Sequence, residues 1–199
     1  MNFWWDNIDS KYLTDDLDVI KLAYVNCLKN RTIFINDRID DDSIEKYLVP
    51  LMFMNEDNSD KPITILLNSY GGEIVPSFSI VYQIERMRKE TNIVIIGQAL
   101  SSGLYIAMAG HNNENVNTYC TPYARAMFHT TYVVSGNSDD DSEPVKSLVS
   151  FQNKYDKDVV YRYITSHSYI TLEMLEEWEG TDHYMSAQEL EKFGIARII

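Results

Sequence analysis

Short runs of β-branched and aliphatic residues alternate along the chain with longer stretches whose apolar residues recur every three or four positions. Ile63–Leu67 and Ile93–Ile96 belong to the first kind and have the length and branching of buried strands. Arg125–His129 is a third short strand-like run, ending on a histidine. Of the second kind, Ile44, Tyr47, Leu48, Leu51 and Met52 trace one helical stripe, with Asp42 and Glu45 as a cap-like start. Ile74, Phe78, Val81 and Ile84 trace another, which gives way to polar residues at 85–89. Leu104–Ala109 reads as helix. Pro144, favoured at a first helical position, predicts a long helix running to about Thr165. Thr171–Glu179 predicts a short helix stopped by Gly180, and Ser186 with Glu189 predicts a capping box for the last one. Strands alternating with amphipathic helices place the chain in the α/β class. The long helix carries Phe151, Tyr155, Tyr161 and Tyr163, more aromatics than one buried face requires, so the surplus fits either core or interface.

Composition narrows the possibilities. A chain of 199 residues with 45% hydrophobic content suits one domain with a substantial core. A formal net charge of −13 disfavours nucleic acid as a partner, since phosphate neutralisation needs a basic patch. The acid gathers at Asp15-Asp16-Leu17-Asp18, Asp40-Asp41-Asp42 and Asp139-Asp140-Asp141, which read as solvated loops or helix entries. Cys27 and Cys120 are too few and too far apart for a disulfide framework, so a reducing cytoplasm is the expected setting. Met1–Asp6 lacks the basic and apolar regions of a secretory signal. The longest apolar stretch, Val94–Gly110, is interrupted by polar residues and glycines, as suits a buried strand, turn and helix and not a membrane span. His111, His167 and His183 form no metal-ligand spacing with one another or with the two cysteines, and no metal is expected. No Walker A lysine follows the Gly71-Gly72 turn, so any use of ATP must come from a partner.

Candidate chemistry lies where strands end. Gly97-Gln98-Ala99-Leu100-Ser101-Ser102-Gly103 joins the second strand to a helix. A serine at such a turn holds its hydroxyl away from the backbone, and the N–H groups after it suit a developing oxyanion. The segment misses the G-x-S-x-G elbow because Ala99 stands in place of the first glycine, and small residues there also suit close packing. Asn68-Ser69-Tyr70-Gly71-Gly72 ends the first strand; its double glycine can present a bare N–H to a ligand or simply form a turn. A lone histidine such as His129 is more often a satisfied surface or core residue than a base.

Together these segments resemble the proteolytic subunit of the Clp protease, a serine peptidase of the crotonase-like superfamily. The resemblance covers residues 19 to 199 and leaves 1–18 as a divergent N-terminal segment. The family's N-S-P-G-G turn corresponds to Asn68–Gly72, and its G-x-A-x-S-x-G segment to Gly97–Gly103, which puts the nucleophile on Ser101. Its Y-C-x-P-x-x-R-x-M-x-H strand corresponds to Tyr119–His129. Its catalytic aspartate, followed by an aromatic and a Ser-Ala helix start, corresponds to Asp182, ahead of Tyr184, Ser186 and Ala187, and an aromatic-glycine-aliphatic ending to Phe193-Gly194-Ile195. The resemblance implies repeated ββα units with a protruding helix-strand handle, a Ser101–His129–Asp182 triad, and an oxyanion hole of the Gly72 and Ser102 backbone N–H groups. It implies a peptide or unfolded-protein substrate and an acyl-enzyme. The expected assembly is a homo-oligomeric ring, heptameric and possibly stacked in two, served by an ATP-driven unfoldase, with no cofactor in this chain, no nucleic acid and no membrane.

Departures from the family bear on substrate and partners. Tyr70 replaces the turn proline, Thr130-Thr131 replaces glutamine-proline and leads into the cleft-lining Tyr132–Asn137, and Thr181 replaces an arginine that couples rings. Thr64 and Leu66 replace aromatic residues of the unfoldase docking pocket, and Phe3, Trp4 and Trp5 do not match the family's axial loop. Competing readings are a catalytically silent ring subunit, a crotonase-like enzyme acting on a CoA thioester, and a phage head-maturation protease of the same chemistry.

Overall fold

Because the first four strands of this chain are separated by helix-length segments, each returns to the sheet parallel to the one before it. The computed structural model describes residues 19–130 and 143–199. Strands β1 (Thr32–Ile35), β2 (Ile63–Ser69), β3 (Thr91–Leu100), β4 (Val116–Cys120) and β7 (Arg197–Ile198) lie side by side in that order, every pair parallel. Strand β5 (Arg125–Phe128) joins β3 in parallel, and β6 (His183–Ser186) closes on β5 antiparallel. The architecture is mixed α/β with a mostly parallel central sheet.

The central strand outruns its sequence signal. The apolar run suggests Ile93–Ile96, whereas β3 extends over ten residues, from Thr91 to Leu100. Its first half pairs with β4 (Ile95 opposite Cys120) and its last three residues pair with β5 (Leu100 opposite Met127). A new partner strand replaces the old one at Gln98, so the backbone of a small and polar segment stays hydrogen-bonded in the sheet. That extension carries the chain to Ser101.

Helices α1 (Val19–Lys29), α2 (Val49–Glu56), α3 (Ile74–Glu85) and α4 (Ser102–Met108) occupy the segments around β1 to β4. A π-helical turn, Ile44–Leu48, leads into α2. Two expectations are corrected here. No side chain caps this entry: Ser43 occupies the cap position in helical conformation, and Asp42 is exposed. Met52 is exposed as well, and the buried stripe runs through Tyr47, Leu51 and Met54 at ordinary helical spacing. On α3 the buried face likewise centres on Ser77, Ile80, Val81 and Ile84, with Ile74 and Phe78 only partly covered.

The long helix is present from Glu143 to Ser166 as α5 (Glu143–Tyr155), a π-helical stretch (Asp156–Tyr161) and α6 (Arg162–Ser166). Its aromatics divide between the two roles left open by the sequence. Tyr161 and Tyr163 are core, Tyr155 packs against it, and Phe151 is exposed together with Leu148. The expected departures at Tyr132–Asn137, the acidic runs at 15–18 and 139–141, and the Phe3-Trp4-Trp5 segment lie outside the described residues.

Beyond Ser166, α7 (Leu172–Glu177) is capped by Thr171, whose hydroxyl accepts from Met174 N, and α8 (Ala187–Lys192) follows β6. Its capping box is complete: Ser186 Oγ accepts from Glu189 N at 3.3 Å, and Glu189 Oε2 accepts from Ser186 N at 2.8 Å. These bonds pin the exit of β6 and help hold it against β5. Ser186→Ala is expected to lower the unfolding free energy by about 1 kcal/mol, measured by urea titration. Among the described residues no helix is long and apolar enough to cross a membrane.

Candidate active site

Parallel pairing brings the carboxyl ends of β2, β3 and β5 to one edge of the sheet, where α/β proteins place their ligands. The register sets the neighbours. Ser69 lies opposite Ala99, and Leu100 lies opposite Met127, so the residues just past each strand end converge. Ser101 N donates to Met127 O at 2.8 Å, which ties the start of the serine turn to the strand that delivers His129.

Ser101 itself has φ 53° and ψ −126°, a conformation that L-residues rarely adopt. Holding it there stores about 1–3 kcal/mol and aims the side chain out of the turn. Its Oγ lies 2.8 Å from His129 Nε2. The other ring nitrogen, Nδ1, lies 2.6 Å from the Thr130 backbone oxygen. A carbonyl can only accept, so Nδ1 carries the hydrogen and the Nε2 lone pair faces the serine hydroxyl. This is the tautomer a general base requires.

The glycine turn packs directly on the serine turn. A Cβ on Gly71 would fall 2.8 Å from Ser101 Cβ and 2.9 Å from Ser102 N, and would strike Leu100 O. With φ +85°, this position is closed to side chains on both counts. Ser69 Oγ accepts from Gly71 N at 3.0 Å and donates to Asp37 O at 2.7 Å, bracing the turn from below. Ile39 N donates to Gly71 O and Glu73 N donates to Ile39 O, which leaves the Gly72 N–H between them out of the ladder. Ser102 N, in the first turn of α4, has no carbonyl four residues back inside the helix.

Asp182 stands across the strand pair. Phe128 is paired with His183, so the next step of the antiparallel register sets Asp182 opposite His129, and opposed residues share a face. His183 occupies the other face, stacked on Trp178 with ring centroids 3.6 Å apart and planes within 8°. Burial there pushes the His183 pKa down, against the opposing pull of Glu189 and Glu177, so its neutral form is favoured. The Asp182 side chain is exposed and, among the described residues, makes no hydrogen bond or ion pair.

Of the five residues singled out by sequence, the structure thus brings Ser101 and His129 into hydrogen-bond contact, with Gly72 and Ser102 flanking the serine through Gly71. Asp182 is aligned with His129 by register only. Gly71, Ser69 and the Thr130 carbonyl were not assigned roles from sequence. The double glycine was the one available signal for Gly71. A backbone carbonyl carries no signal in residue type.

His167 is buried between α6 and α3. Its Nδ1 lies 2.9 Å from Tyr163 O and its Nε2 lies 3.1 Å from Glu85 Oε1. It belongs to the packing of the long helix on the body. Among the described residues no three His, Cys, Asp or Glu side chains group so as to hold a metal ion.

A family model described as Clp protease matches residues 18–199, and Clp proteases are serine peptidases. With a match that spans every described residue, the chain belongs to the Clp protease family.

Proposed function

We propose that this protein is a serine endopeptidase, the proteolytic subunit of a Clp-type protease that cleaves peptides and unfolded proteins through an acyl-enzyme on Ser101. The observation that carries this reading is the 2.8 Å contact between Ser101 Oγ and the lone-pair side of His129. As Oγ attacks the scissile carbonyl, His129 Nε2 takes its proton and later returns it to the leaving amine. Water then hydrolyses the ester with His129 again as base. The Gly72 and Ser102 N–H groups receive the oxyanion, each worth about 2.7–4 kcal/mol in the transition state. The Asp182 carboxylate, which the β5–β6 register sets opposite His129 when it is continued by one residue, favours the imidazolium that forms.

The reading extends to assembly. Leu148 and Phe151, three residues apart on one side of α5, leave an apolar strip exposed, which supports packing of copies into a ring. A heptameric ring in the cytoplasm, single or double, would enclose the sites and admit small peptides. Folded substrates would then need an unfoldase, and ATP would enter only through that partner.

Intact-mass analysis after fluorophosphonate treatment tests the core of the proposal. A single adduct on the folded protein, mapped to Ser101 and absent when His129 is replaced by alanine, is the expected result. A folded, assembled protein that takes no adduct would overturn it. Native mass spectrometry of the same sample reads the number of copies per ring.

A further inference from the structure

We infer that Trp178 positions the Asp182 carboxylate for His129 by holding the residues on both sides of it. This rests on the triad proposed above. The pairing of β6 with β5 stops at His183 opposite Phe128, one residue short of both Asp182 and His129. The strand ladder therefore ends just before the position that must face the imidazole, and a further contact is needed to fix it.

Trp178 supplies that contact from both directions. It closes α7, and its carbonyl accepts from Thr181 N at 3.1 Å and from Thr181 Oγ1 at 3.0 Å. Thr181 is the residue before Asp182. The indole lies flat on His183, the residue after Asp182, with ring centroids 3.6 Å apart and planes within 8°. The same indole meets Phe128, the residue before His129, with centroids 6.3 Å apart. One buried side chain thus ties a neighbour of the acid to a neighbour of the base. Asp182 itself is exposed, and on an untethered turn its carboxylate would spread over many positions in screening solvent. A rigid ring stack restrains the turn without burying the charge. Trp178 is a positioning residue, acting through Asp182.

A double-mutant cycle separates this role from plain support of the fold. Trp178→Leu and His183→Ala remove the stack from its buried and its half-buried side. Each is made in the full chain, alone and together with Asp182→Ala, and Trp178→Phe is made as the conservative variant. Peptide hydrolysis is followed on protein whose assembly matches the unmodified chain by native mass spectrometry. In Trp178→Leu, kcat is expected to fall about 10–100-fold with KM nearly unchanged, and Trp178→Phe to recover most of the loss. Asp182→Ala alone should cost about 10⁴-fold, and adding either stack variant to it should change kcat by less than about twofold. Equal fold-losses with and without Asp182 would overturn the inference, because the stack would then support the fold and not the carboxylate. Full activity in both stack variants, or in Asp182→Ala, would overturn it as well. Should Trp178→Leu fail to fold, the His183→Ala cycle decides by the same criteria. If the unmodified protein takes no fluorophosphonate label, the peptidase reading falls, and amide exchange at Thr181 decides whether the stack holds the turn. Exchange about tenfold faster in His183→Ala supports that hold, and unchanged exchange overturns it.

Discussion

Ser101→Ala is expected to cut peptide hydrolysis by about 10⁶-fold while leaving the melting temperature within a degree or two of the unmodified protein. The size of the loss follows from the kind of catalysis. Without Oγ no acyl-enzyme forms, and His129 has no hydroxyl to deprotonate. The backbone donors and substrate contacts that remain supply about 10³–10⁴ over water. The small change in stability follows from geometry. Ser101 is held at φ 53° by the Ser101 N to Met127 O bond and by Leu104 N donating to its carbonyl at 2.9 Å, and alanine meets the same backbone and the same strain. Serine Oγ bonds to His129, so its removal uncovers little that is buried. A fluorogenic peptide assay and a thermal melt on one preparation check both halves. Retention of more than about a hundredth of the activity would remove Ser101 from the role of nucleophile.

Gly71→Ala is the second large effect, and it acts through shape. An added Cβ enters the space held by Leu100 O, Ser101 Cβ and Ser102 N, two of which are main-chain atoms that cannot rotate away. The two turns must separate, which displaces the Ser102 N–H from where an oxyanion would sit and loosens the Ser101–His129 contact. Loss of one donor alone accounts for about 10²–10³ in turnover. Stability falls too, by more than about 1 kcal/mol, since φ +85° is unfavourable for alanine even without the clash. Gly180→Ala separates these contributions. Gly180 has φ +81°, nearly the same backbone strain, yet nothing lies within 4 Å of its would-be Cβ. That variant should lose stability and keep its activity, measured by urea unfolding and peptide hydrolysis. Equal activity losses in the two glycine variants would mean that contact with the serine turn is not what matters at Gly71.

Much of the fold was legible because its signals are local. Ile63–Leu67 and Ile93–Ile96 are strands because β-branched side chains suit a doubly covered parallel sheet. Ser186 and Glu189 form their capping box because both partners lie within one turn. Where a neighbour intervenes, the local signal fails. The stripe that begins at Tyr47 and Leu51 continues through Met54 and leaves Met52 exposed. A second sheet partner drew Gly97–Leu100 into β3. Contact with the body, not composition, divided Tyr161 and Tyr163 from Phe151.

The site divides in the same way. Which residues carry reactive atoms was readable from the sequence: a serine after a strand, a histidine after another, paired glycines after a third. Their meeting depends on register. Leu100 pairs with Met127 and Ser69 with Ala99, and these pairings join residues far apart in the chain at distances that no local pattern encodes. The contacts of His129 lie further still from the sequence, because one ring nitrogen meets a backbone carbonyl, Thr130 O, and the other a serine 28 residues away. Side chains are spelled out residue by residue, so the sequence alone determined the reactive groups and the elements that bear them. Backbone carbonyls and N–H groups are common to nearly every residue, so only the tertiary structure decided which of them brace the serine turn and which one meets the ring.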